Sequence, residues 1–335
     1  MRSFLAFTAT LGLGVLAALI WLAPVWNFAD LFRQFWAPLT LASILAAITV
    51  VIFGRKRQRW GAPLLAALIA APGIPETLTP VLDIPVTPAS GTPFTVATHN
   101  AWGRNATVEA AADLLTDTNA DIIALQETWG NAWGLPTLLE ENYPNQAACD
   151  RYAVALVTRF EIVDSGCLDW WWWITREGAE DTPFFHAPPA AWATIRLLDG
   201  REITVASVHL TWPDPLRHQN EQREGLALML EAFPQDRLIV MGDFNSAAPS
   251  RALARIEDDL GLRRITHALS TWPSESMWAG YAGRTVTIPT MMAGIDHILV
   301  GRDFEDRAVE RLPDSGSDHR PVMARLTLMM DPNAD

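Results

Sequence analysis

Lysine is almost missing from this chain of 335 residues: Lys56 is the sole one, and 25 Lys plus Arg stand against 38 Asp plus Glu, for a formal charge of −13. The imbalance lies beyond residue 92, where 35 acidic residues face 19 basic ones and the local charge is near −16. Such a domain, without a basic stripe, repels a long polyanion, which argues against general nucleic-acid binding. Cysteine is also scarce. Cys149 and Cys167, 18 residues apart, fit no zinc-site pattern and flank a strand-like run, Ala153 to Thr158. A bridge across that hairpin is geometrically feasible, and two buried thiols are the alternative. No repeat of fixed period shows between about Thr92 and Leu328.

Apolar residues, by contrast, make up half the chain and crowd its beginning. Phe4 to Ala23 and Phe35 to Phe53 carry no charge, and each is long enough to cross a hydrocarbon core of roughly 30 Å as a helix. The first is longer than a signal-peptide core and is soon followed by a second span, so it reads as a retained helix. A third run, Trp60 to Pro75, is shorter and contains three prolines, leaving a crossing or an interfacial helix open. Arg55, Lys56, Arg57 and Arg59 crowd the connection before it, and the positive-inside tendency puts that connection in the cytoplasm. With a third crossing, the remainder lies in the periplasm or outside the cell. The expected organisation is a multi-pass region of two to three transmembrane helices in the inner membrane over residues 1–75, an extended Pro-rich linker over 76–92, and a soluble domain over 93–330.

Within that domain, short β-rich runs alternate with helical stretches, the pattern of an α/β fold. Polar clusters sit where the strand-like runs end. Phe94 to Thr98 delivers Asn100, Asp121 to Gln126 delivers Glu127, Ile203 to Val208 delivers His209, and Leu238 to Met241 delivers Asp243 and Asn245. Asp296 precedes Ile298 to Val300, and Asp318 and His319 precede Val322 to Leu328. Singly, an Asp or Asn after a strand is most often a turn former or a helix cap. Gathered at one edge of a sheet, the set supplies acidic metal ligands, a carboxylate able to deprotonate water, and histidines able to meet phosphoryl oxygens.

Six such clusters in this order resemble those of the endonuclease/exonuclease/phosphatase superfamily, which includes pancreatic-type deoxyribonucleases, apurinic endonucleases, inositol-polyphosphate phosphatases and neutral sphingomyelinases. The chain looks like a membrane-anchored member of bacterial type. The resemblance covers about Thr92 to Leu328 and implies a four-layer α/β sandwich, two packed mixed β-sheets flanked by helices, here preceded by transmembrane helices. It further implies Asn100, Glu127 and Asp318 at a divalent metal, Mg²⁺ with Mn²⁺ as a substitute, since oxygen-only ligation suits these ions. Asp243 would activate the attacking water and Asn245 would donate a hydrogen bond. His319, oriented by Asp296, would face a non-bridging oxygen, and His209 would contact phosphate. His99 and His297 are expected to face away from the site, and His186, His218 and His267 match no family position.

Trp170 to Trp173 within Asp169 to Pro189, and a second loop, Gly283 to Gly294 with Met291 and Met292, are candidates for substrate choice. Consecutive tryptophans on a strand cannot all face one core, and lipid is one surface that would cover the others. Arg217, Gln219 and Arg223 follow His209 on an expected helix, whose commoner reading is an exposed face. The expectation is a phosphoester hydrolase acting on a small or lipid-linked substrate. A nuclease of the same fold is the first alternative and a non-catalytic membrane receptor or scaffold the second. Oligomeric state is not readable.

Overall fold

A computed structural model describes residues 2–82, 90–168, 188–213, 216–277 and 293–330, so the Trp170 to Trp173 run, His186 and the loop bearing Met291 and Met292 lie outside the described residues. The chain divides into two compact units, residues 1–84 with 246–255, and residues 85–245 with 256–335.

The first unit is helical: α1 (Arg2–Leu22), α2 (Asn27–Gln34), α3 (Trp36–Phe53), α4 (Lys56–Ala70) and α5 (Ile74–Leu82). Small residues let α1, α3 and α4 approach one another, with Leu13 and Ala17 packing on Ala47, Val50, Ala62, Ala66 and Ile69. Three segments, Phe4–Leu22, Trp36–Phe53 and Lys56–Thr79, are long and apolar enough to cross a membrane by length and composition. The third gains its length because helix continues past Pro72 and Pro75, which stand in or next to first turns, where a missing N–H costs nothing. Helix therefore occupies Ile74–Leu82 and runs into the stretch expected to be extended. The 246–255 segment joins this unit through α2. Both carboxylate oxygens of Asp30 accept backbone N–H groups, from Arg251 at 2.8 Å and Ala252 at 3.1 Å, capping the start of helix Arg251–Leu260.

The second unit is a sandwich of two mixed six-stranded sheets flanked by helices, as expected. One sheet runs β11 (Phe304–Arg311), β12 (Val322–Met329), β1 (Gly91–Asn100), β2 (Ile122–Gln126), β4 (Val154–Thr158), β3 (Asn145–Cys149). The other runs β5 (Glu161–Cys167), β6 (Ala190–Arg196), β7 (Glu202–His209), β8 (Leu238–Asp243), β10 (Asp296–Val300), β9 (Arg263–Arg264). Val96, Ile122, Ala124, Leu156 and Leu326 of the first pack with Ile195, Val205, Ile239, Met241 and Ile298 of the second in one apolar core. The alternate residues Ala97, Ile123, Leu125, Ala155 and Val157 instead pack with Val108, Ala112 and Leu115 of α6 (Val108–Asp117) and Leu135 and Leu139 of α7 (Leu135–Leu139). Strands buried on both faces explain why these runs are apolar throughout rather than alternating.

Each sheet has one parallel pair, and the two pairs place the polar clusters. Asn100 is in register with Gln126 across β1 and β2, and His209 with Asp243 across β7 and β8. The antiparallel β10 sets Asp296 opposite Asp243, and β12, antiparallel to β1, begins at the edge where β1 ends. Cys149 and Cys167 form a disulfide. It joins β3 and β5, outermost strands of different sheets, instead of closing the single hairpin that the spacing suggested.

Candidate active site

Asp243 lies at the centre of the gathered residues, and the backbone before it is specialised for the purpose. Gly242 has φ +150°, and a Cβ there would lie 1.9 Å from the Val208 carbonyl oxygen, so only glycine lets β8 lie against β7 at this point. Glu127 (φ 54°) and Asn245 (φ 48°) both occupy the left-handed region just past the ends of their strands. Asn tolerates that conformation, whereas Glu is held in it against its preference, a strain typical of functional sites.

All eight residues proposed from the sequence meet here. Asn100 Nδ2 donates to Glu127 Oε1 at 3.1 Å and to Asp243 Oδ2 at 3.0 Å. Asp243 Oδ1 accepts the Asn245 backbone N–H at 2.8 Å, and the Asn245 side chain bridges Asp243 Oδ2 and the Leu210 carbonyl. His319 Nδ1 donates to Asp296 Oδ2 at 2.9 Å, while His319 Nε2 stands 3.7 Å from Asp243 Oδ2 and 4.0 Å from Asp318 Oδ1. His209 Nε2 approaches the same Asp243 oxygen at 3.7 Å and Glu127 Oε1 at 3.9 Å.

Burial governs the charges. It alone would strip the proton from His319, but Asp296, Asp243 and Asp318 outweigh it, and the imidazole is pushed up to about 10. Asp243 is pushed up to about 6 by burial, with His319 and His209 opposing the rise. In Asp296 the same desolvation is overcome by His319, and its carboxyl is held below the usual range. Burial raises Asp318, with Glu127 and Asp296 adding to it.

Asp243, Asp296 and His319 bring ligand atoms within 4.8 Å of one another, close enough to enclose an ion. His319, however, is bonded through Nδ1 to Asp296, and the surrounding carboxylates favour its protonated form, which has no lone pair to offer. Asp318 fits a cation better. Its Oδ1 is buried with no hydrogen-bond partner among the described residues, and Glu127 is a like charge beside it.

Several supports were not legible beforehand. Ser317 Oγ donates to the Asn100 carbonyl at 2.7 Å and accepts the His319 N–H at 3.0 Å, tying the end of β1 to the turn before β12. Gln126 Nε2 donates to Ser207 Oγ at 3.0 Å beneath the site, linking the sheets. Gln219 and Arg223 are buried, contrary to the exposed face expected of their helix, α8 (Leu216–Leu230). Gln219 Nε2 lies within reach of the carbonyls of Thr211, Phe244 and Asn245, and Arg223 pairs with Asp259, so each serves the loops around Asn245 or the helix packing rather than solvent. The side chain of Arg217 lies outside the described residues. His99 is buried, bonded to Ser315 and depressed to about 3 by desolvation, hence neutral; His297 turns to Thr266 and packs on Phe244.

Residues 97–319 match the model of the Endonuclease/Exonuclease/phosphatase family. The chain belongs to that family. The match begins in β1 and ends at His319, so it includes each of the eight residues brought together at the site. No curated protein matches the chain. Solved structures similar in fold include an endonuclease/exonuclease/phosphatase family protein from Bacteroides thetaiotaomicron (17% identity, TM-score 0.54, covering 72% of this chain and 100% of that one). A beta toxin variant from Staphylococcus aureus with bound magnesium ions is similar at 18% identity and TM-score 0.51, covering 70% and 99%. Sphingomyelinase C from Streptomyces griseocarneus follows at 20% identity and TM-score 0.50, covering 71% and 99%. Family members hydrolyse phosphoesters, and this chain has their fold, with acidic groups gathered at the strand ends and Asp318 Oδ1 among them open to a cation.

Proposed function

We propose that this protein is a membrane-anchored, divalent-metal-dependent phosphoesterase that hydrolyses a small or lipid-linked phosphoester. The observation that carries the reading is His319 held between Asp296 and Asp243, with Asn100, Glu127 and Asp318 gathered on the same edge. Glu127, Asp318 and Asn100 would hold Mg²⁺, which when bound would neutralise charge on a phosphoryl oxygen. Asn100 now presents its amide nitrogen to the carboxylates and would present its oxygen to a cation.

Asp243 accepts the proton of the attacking water. Its carboxylate is fixed by two donors from Asn245 and one from Asn100, and burial raises its basicity toward neutral pH, where a general base works best. The imidazolium of His319 places a donor next to the oxygens that gain charge, and Asp296 fixes its ring. His209, on the other side of Asp243, is positioned to contact a further phosphoryl oxygen or the departing one. Asn245 donates to the nucleophile or to phosphate.

Three helices of membrane-crossing length and a strongly acidic domain favour a lipid-linked or small ester over a nucleic acid, and a sphingomyelinase among the structural neighbours is in keeping with this. The charges around Lys56 favour an inner-membrane protein with its catalytic domain outside the cytoplasm. Turnover by the detergent-purified chain across phospholipids, sphingomyelin, isoprenyl and sugar phosphates and plasmid DNA tests the reading. Metal-dependent release from a lipid or small ester is expected, and cleavage of DNA alone would contradict it.

A further inference from the structure

The strand edge that carries the site also carries exposed tryptophan. Trp129 (46% exposed) and Trp133 (61%) follow Glu127, and Trp212 (49%) follows His209. With Leu138 (46%) they are half of the exposed large apolar residues described in the sandwich unit. The segment Thr128 to Leu139 contains no charge at all, in a domain near −16. It is amphipathic. A 3-10 turn, Gly130–Gly134, and α7 bury Ala132, Leu135 and Leu139 against the sheet and turn Trp133 and Leu138 outward. Trp129 is braced on Gly103, where a Cβ would lie 2.3 Å from the indole, and the Gly103 N–H in turn reaches Glu127 Oε2.

We propose that Thr128 to Leu139, with Trp212, is a docking surface for a zwitterionic lipid bilayer, which would bring the site to the interface where a lipid phosphoester lies. The inference rests on the phosphoesterase reading for its purpose, though not for its test. Tryptophan partitions to the boundary between headgroups and acyl chains, and an uncharged patch incurs no ionic desolvation on entering it. An anionic membrane would be repelled by the domain's charge, and a basic protein partner would be met through carboxylates, which this patch lacks. The same chain carries three helices of membrane-crossing length, so a bilayer is the surface met at the highest local concentration.

The test places nitroxide labels on Trp133→Cys, Leu138→Cys and, as control, Leu198→Cys, which lies in the β6–β7 turn at the opposite strand edge and is 86% exposed. The native cysteines are paired and do not take the label. In the full chain in phosphatidylcholine nanodiscs, labels at 133 and 138 should collide readily with oxygen and poorly with a water-soluble nickel chelate, while the label at 198 meets the chelate freely. Chelate accessibility at 133 and 138 equal to that at 198, or shielding from both colliders as inside a protein contact, overturns the proposal. Trp133→Ser with Leu138→Ser should lower turnover of a lipid ester in the nanodisc at least ten-fold and leave a water-soluble phosphoester unchanged; an equal loss on both contradicts docking. Bilayer-embedded labels on an enzyme that turns over no phosphoester would sink the catalytic reading alone.

Discussion

Asp296 accepts a hydrogen bond from His319 at 2.9 Å, and the far nitrogen of that ring lies 3.7 Å from Asp243. The chain thus alternates negative, positive and negative charge through a buried edge, where an unpaired charge would be costly.

Asp296→Asn would keep the shape but remove the charge that holds His319 protonated and in place. Turnover should fall on the order of 10²-fold or more, with the far-ultraviolet circular dichroism and the Mg²⁺ concentration for half-maximal activity little changed. Full activity in this variant would show that the pair is only structural.

Metal removal separates the ligands from the proton-handling residues. Chelation should abolish turnover and added Mg²⁺ should restore it. Glu127→Gln should raise the half-saturating Mg²⁺ concentration by at least about 10-fold. A Glu127→Gln enzyme with unaltered metal dependence would remove that residue from the metal site.

The strand ends were legible because the apolar runs stop where the polar clusters begin, and the structure gathers Asn100, Glu127, His209, Asp243, Asp296 and His319 at one edge. The burial of Gln219 and Arg223 was not, since a polar helix face reads the same whether it meets solvent or carbonyls left open by a neighbouring loop. Nor was the partner strand of Cys167, because sheet membership depends on crossovers that local pattern does not encode. Nor were the two hydrogen bonds of Ser317, which form where β1 and β12 lie side by side.

Gly242→Ala tests the backbone requirement next to the base. The added methyl meets the Val208 carbonyl and a backbone angle that alanine resists, so a loss of about 2–4 kcal/mol of stability is expected in chemical denaturation. Wild-type stability would mean that β8 relaxes there freely.

The disulfide ties the outer strands of the two sheets across a separation of 18 residues. Cys149→Ser with Cys167→Ser should cost about 3 kcal/mol, seen as a lower thermal midpoint that reductant no longer shifts. A midpoint equal to that of the oxidised wild type would show that the sheets need no staple.

The most direct test of the whole account is phosphoester turnover by the detergent-purified full chain, with Mg²⁺ and with chelator, set beside Asp243→Asn. Metal-dependent release by the wild type, lost by roughly 10²-fold or more in a folded variant, is the outcome expected of a general base. Equal turnover by Asp243→Asn, or none by the wild type on any phosphoester with Mg²⁺ or Mn²⁺ present, would contradict it.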